Sequence, residues 1–186
     1  MATITLLDDS TRPKAPKLEG ATPRHQLPGR QLKMIHRHHL MQITEVRELL
    51  QQIEAEQSTR PELAEKIAGL QMHDNIRLFG NLCGQECEML NFHHDAESQM
   101  LFPVLHERGN DGIKKVVERL MAEHKIIHHY LEELEFNSIA TLQNPSSESF
   151  TALKQTFMAL EKIIHSHFKY EETELETAIG FYGVEF

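Results

Sequence analysis

Three pairs of residues in this chain stand four apart on apolar helix faces, and each joins an imidazole to a second metal-binding group. They are His93 with Glu97, His124 with His128, and His167 with Glu171. Imidazole suits iron, zinc and copper, and carboxylate is a hard bridging ligand. On an α-helix each residue advances by about 100°, so i and i+4 lie about 40° apart and share a face. The chain holds 13 histidines in 186 residues, ten of them gathered in IHRHHL, FHHDAE, EHKIIHH and HSHFKYEE. Each cluster falls in a different long helical segment. Burying so many polar groups is costly unless each is paired or ligates a metal.

The apolar residues decide which face is buried. With His93 at zero, Glu97, Met89, Met100, Leu82, Phe79 and Val104 all fall within about 40°. His94 lies about 100° round, at the edge of the arc, and is expected to be a contact residue rather than a ligand. Leu120, Val117 and Leu131 share the face of His124 and His128. Leu160, Ile163 and Ile164 share that of His167 and Glu171, while His165 points to solvent. In the first segment His38 faces away from the apolar stripe. His39 lies nearest its centre, and His36 matches His93 in height measured from the intervening turn. His36 is taken as the ligand and His39 as its outer neighbour, with the choice between them open. The predicted metal ligands are therefore His36, His93, Glu97, His124, His128, His167 and Glu171. Glu86, seven residues before His93 on the same face, is expected to contact His39 and to orient the site or relay protons to it. Leu82, Met89, Met100 and Leu120 are expected to form an apolar collar. Tyr170, beside His167, is read as a packed tyrosine.

These residues need long helices to hold them. Residues 1–30 carry four prolines and no period, and read as an extended arm. Helix-period stripes predict helices over about 31–57, 72–107, 113–136 and 146–178. Pro61, after Ser58 and Thr59, starts a short extra helix that breaks at Gly69. Pro103 should kink or end the second long helix. Ser146 or Ser147 should cap the last one. The aromatic tail 179–186 should pack back on the helices. Four amphipathic helices with short connections imply an all-α, antiparallel up-down four-helix bundle over 31–178.

Composition narrows the function. Against 28 acidic residues stand 19 basic ones, a net charge of −9. That disfavours a nucleic-acid or anionic-membrane surface. No apolar run reaches the roughly 18 residues of a membrane span, and the N-terminus lacks the features of a signal peptide. Two cysteines do not suggest a disulfide scaffold, and a cytoplasmic setting is expected. Cys83 and Cys87, four apart, are read as small core fillers, because such a pair in one helix rarely reaches disulfide geometry. Gly80, Gly84 and Cys87 line a face of small residues that could seat the arm or a second copy of the chain, giving a homodimer.

With these residues laid out, the chain resembles the hemerythrin-like (HHE cation-binding) family over about 31–178. The match consists of His36 in the first helix, His93-x-x-x-Glu97 in the second, His124-x-x-x-His128 in the third and His167-x-x-x-Glu171-Glu172 in the fourth. The resemblance implies two non-haem irons (an Fe–O–Fe type centre) bridged by carboxylates; zinc or another divalent metal, or a single metal, can occupy such ligands. Oxygen-carrying hemerythrins place the last carboxylate at i+5, here Glu172, whereas helix geometry prefers Glu171. The short helix and the prolyl arm are additions, and the N-terminal domain of the family's iron-sulfur repair branch is absent. Three classes of function compete: a protein that binds iron with O₂, peroxide or NO; a diiron oxidoreductase or oxygenase acting on an organic substrate; and a metal-stabilised interaction or iron-sensing module.

Overall fold

The computed structural model describes residues 8–59, 85–144 and 146–184, with the side chains of 56–59, 85 and 86 left aside. The described residues form helices and no strand. Helix α1 spans Leu27–Thr59 and α2 Gln85–Ala96. A π-helical turn, Glu97–Leu101, leads into α3, Phe102–Arg108. Helix α4 spans Asp111–Gln143 and α5 Ser147–Phe181. The protein is an all-α helical bundle. The expected short helix after Pro61, and Leu82, Gly80, Gly84, Cys83 and the Glu86 side chain, lie outside the described residues.

Local chemistry sets the boundaries. Asn110 Oδ1 accepts from the backbone N–H of Gly112 and Ile113, which caps α4. Ser146 Oγ accepts from Ser149 N–H and caps α5. The arm is shorter than 1–30: a 3₁₀ turn at Pro23–Gln26 runs straight into α1, because Pro28 suits a first helical turn. Pro103 neither ends the helical path nor leaves it regular. It has no N–H to give, and its ring would strike the carbonyl four residues back. The π-turn before it absorbs this, with Phe102 N–H reaching back five residues to the Glu97 carbonyl.

The chain divides into two compact units, residues 1–38, 91–127 and 164–186 in the first, and 39–90 and 128–163 in the second. In the first unit Arg30 pairs with Glu176 and Lys33 with Glu172. Rising numbers on α1 meet falling numbers on α5, so these helices are antiparallel. Ser98 with His124 and His106 with Glu118 give the same sense for α3 and its π-turn against α4. Close approach is built in at Gly29, where a Cβ would run into the backbone of Glu176. The core of this unit holds Leu32, Leu101, Phe102, Leu105, Ile113, Val117, Leu120, Leu175 and Ile179. Its tail turns back: Val184 is buried, and Arg108 donates to the Tyr182 carbonyl.

In the second unit Arg47 meets Glu161 and Lys154 meets Glu54, again antiparallel. Leu50, Ile53, Leu90, Leu131, Leu134, Phe150, Leu153, Phe157 and Leu160 are buried there. Cys87 is buried and disulfide-bonded. The expectation of a free core thiol is thus corrected, and with it goes the cysteine argument for a reducing compartment. No helix among the described residues is long and apolar enough to cross a membrane.

Candidate metal centre

The buried face of α2 is not centred where the wheel put it. Met89 is 44% and Met100 67% exposed, so the expected collar does not form from them. The buried positions are Cys87, Leu90, His93, His94, Glu97, Leu101, Phe102 and Leu105. Their centre lies between His94 and Glu97. Two causes act together. Methionine is flexible and need not anchor a buried face, and the π-turn adds a residue that breaks the 100° phase after Ala96.

This rotation turns both His93 and His94 inward. The first unit then holds two groups whose ligand atoms lie within 4.8 Å of one another: His36, His93 and Glu97, and His94, Glu97, His124 and His167. All of these residues are buried. Glu97 belongs to both groups and spans them. Its Oε1 is 3.2 Å from His93 Nε2 and its Oε2 is 3.4 Å from His124 Nε2. Glu171 is fully buried, and its Oε2 lies 3.6 Å from His36 Nε2 and 3.7 Å from His167 Nε2, one member of each group.

Of the predicted ligands, His36, His93, Glu97, His124, His167 and Glu171 come together. His128 does not. It is half-buried, falls in the second unit and belongs to neither group. An i, i+4 pair shares a face, but its members stand about 6 Å apart along the axis, so a shared face does not make a shared site. His94 takes the place expected for His128. His39 is buried, also lies in the second unit and belongs to neither group. Its expected contact with Glu86 falls on a side chain outside the described residues. Glu172 turns outward to His36 Nδ1, at 3.2 Å. Tyr170 is packed: its hydroxyl donates to the Pro13 carbonyl at 2.7 Å, away from the ligands.

The outer nitrogens of His36, His124 and His167 are held, and for His36 and His167 a carboxylate partner settles the tautomer. His167 Nδ1 lies 3.1 Å from Glu123 Oε2. Burial works against ionising Glu123, but hydrogen bonds from His167, Arg12 and Arg119 outweigh it and hold the carboxyl down at about 2. An ionised carboxylate only accepts, so His167 Nδ1 carries the proton and Nε2 presents a lone pair. His36 repeats the arrangement: Glu172 is kept below the usual range by its bonds to His36 and Lys33, against its partial burial. Burial also holds both imidazoles below their ordinary values, and so neutral. His124 Nδ1 is 2.9 Å from Ser98 Oγ. His36 stacks face to face on Phe168 with centroids 3.9 Å apart. Glu123, Ser98 and His94 were missed from the sequence. The signal for Glu123 was available: Arg119 stands one turn before it.

Several inward atoms have no such partner. Among the described residues, His36 Nε2 and all four oxygens of Glu97 and Glu171 lack a hydrogen bond. Burial, then the nearby Glu171 charge, raises Glu97 well above the usual carboxyl range. Burial likewise pushes Glu171 up to about 8. Both shifts favour the protonated carboxyls where no cation is bound, and a cation would favour the ionised ones. The separations of 3.1–3.7 Å among inward atoms match ligands about 2.1 Å from a common ion, which stand roughly 3.0–3.4 Å apart. The donor set fits a transition-metal cation.

A family model described as the hemerythrin HHE cation-binding domain matches residues 36–179. The chain belongs to that family. Neither the curated proteins nor the solved structures include a match. The match begins at His36, so the arm that supplies Arg12 precedes the HHE domain. All seven inward residues lie within it.

Proposed function

We propose that this HHE domain binds two non-haem irons, and that the pair binds or reacts with O₂ or a related small oxidant such as peroxide or NO. The observation that carries the reading is Glu97. One buried carboxylate serves two histidine groups, and Glu171 lies against a member of each. Two carboxylates, each lying against both sets of imidazoles, suit a pair of ions rather than one. Five histidines and two carboxylates make a site less anionic than a carboxylate-rich one, which favours the reduced, Fe(II) form. Exchanging His128 for His94 leaves that count unchanged.

Bound iron would supply one-electron chemistry and affinity for a diatomic ligand. The chain's own residues do the rest. Glu123 and Glu172 fix which nitrogen each of His167 and His36 offers. Phe168 against His36, and Phe102 with its ring centroid 5.1 Å from that of His124, exclude water from the ligand side chains. Glu97 and Glu171, whose burial favours the protonated form, would give up protons on binding a cation.

Anaerobic loading with Fe(II), metal counting and then exposure to O₂ tests the reading. Two irons per chain, with an absorption band that appears under O₂ and fades under inert gas, supports it. Fewer than two irons per chain overturns the paired site. Rapid multiple turnover of added peroxide would move the protein from binding to catalysis.

A further inference from the structure

The N-terminal arm is strapped along one stripe of α5, in the same direction as the helix. Arg12 Nη1 donates to Ser166 Oγ at 2.8 Å. The Pro13 carbonyl takes the Tyr170 hydroxyl, and Ala15 N–H donates to Glu174 at 2.5 Å. Ser166, Tyr170 and Glu174 stand four apart, on one face of a helix. The adjoining face carries His167 and Glu171.

Arg12 does more than hold the arm down. Its Nε lies 2.9 Å from Glu123 Oε1 and its Nη2 3.0 Å from Oε2. This is the two-pronged guanidinium–carboxylate geometry that fixes orientation as well as charge. Arg119 reaches only Oε1, at 2.7 Å. Oε2 is the oxygen that faces His167 Nδ1, and Arg12 is the guanidinium bonded to it. The Arg12 side chain is 14% exposed, and it lies over the Tyr170 ring at 4.7 Å. Its Nη1 also grips Ser166, the residue before His167. Arg12 therefore holds both the backbone next to His167 and the carboxylate behind it.

We propose that Arg12 is a positioning residue of the metal centre: it locks Glu123 onto the outer nitrogen of His167, so that Nε2 is the atom offered to the cation. The arm is then part of the site, although it precedes the family domain. This rests on the reading of His167 as a ligand.

The test uses the full chain and the variants Arg12→Ala, Arg12→Lys and Arg30→Ala. The first readout is ¹⁵N NMR of the metal-free protein at neutral pH. His167 in the wild type is expected as a single tautomer protonated at Nδ1. In Arg12→Ala the two ring-nitrogen shifts should move toward each other, as the tautomers mix. The second readout is anaerobic Fe(II) titration, in which Arg12→Ala should weaken binding by about 10- to 100-fold, as loss of such an outer partner does. Arg12→Lys keeps the charge but not the fork, and should recover only part of each effect. Arg30, in an exposed 3.5 Å pair with Glu176, should change neither. Unaltered His167 shifts and Fe(II) affinity in both Arg12 variants would overturn the proposal. A wild type that holds no iron, but whose His167 shifts still respond to Arg12→Ala, would overturn the metal reading and leave the clamp standing.

Discussion

Replacing His94 by alanine should remove metal, and replacing His128 should not. His94 is fully buried, within ligand distance of Glu97, His124 and His167. His128 is half-buried and belongs to neither group. A structural four-ligand zinc site binds its ion with about 10–16 kcal/mol, or roughly 3 kcal/mol per ligand. Since 1.4 kcal/mol is tenfold, on that scale losing His94 should weaken one ion of the proposed pair by about 100-fold. His128→Ala should stay within about threefold of the wild type. Competition with a chromophoric chelator, followed by metal counting after gel filtration, reads both. The His94→Ala protein should retain about one ion where the wild type retains two, and circular dichroism should show it folded. If His128→Ala lost an ion and His94→Ala kept both, the site built from the rotated α2 face would be wrong.

Metal uptake should release protons at pH 7, because Glu171 is pushed up to about 8 and Glu97 is raised as well. Calorimetry in buffers of different ionisation enthalpy should count at least one per chain, and zero would exclude the protonated carboxyls. The metal-free protein should lose stability between pH 6.5 and 8. A carboxyl raised in the folded state stabilises fully below its unfolded value and loses that contribution as pH climbs through the folded one. Below about 6.5 the buried histidines oppose this trend, so thermal melts should be compared above it, and a rising midpoint there would refute the assignment. Gly29→Ala places a methyl against the Glu176 backbone, and overpacking of about 1–3 kcal/mol should lower the melting midpoint by roughly 3–10 °C. Phe168→Ala should cost about 3–5 kcal/mol and weaken metal binding by freeing His36 from the ring it stacks on, which denaturant titration and metal competition would show.

Much of this was legible in the sequence, for a physical reason. Helix periodicity fixes faces, and six of the seven inward residues sat on apolar faces at the expected positions. The height argument favoured His36 over His39, and it is His36 whose ring nitrogen lies with the ligand atoms of His93 and Glu97. Three things were not legible. The phase of α2 depends on a π-turn, and only the missing N–H of Pro103 hints at one. Height separates His124 from His128, and a helical wheel has no height. Glu123 is recruited by Arg12, more than a hundred residues away in the chain, a pairing that no local pattern announces.

The π-turn also makes the length of this segment a constraint. Between Glu97 and Phe102 the helical path carries one residue more than an α-turn needs. Deleting one of Ser98, Gln99 or Met100 would restore regular hydrogen bonding and would look harmless in a stability calculation. It would also turn everything upstream by about 100° relative to α3, sweeping His93 and His94 off the ligand face together. Among proteins of this length and pattern, a chain one residue shorter here should be built around a different pair of histidines. Segment length, counted from the glutamate to the proline, thus serves as a ruler for which imidazoles face inward.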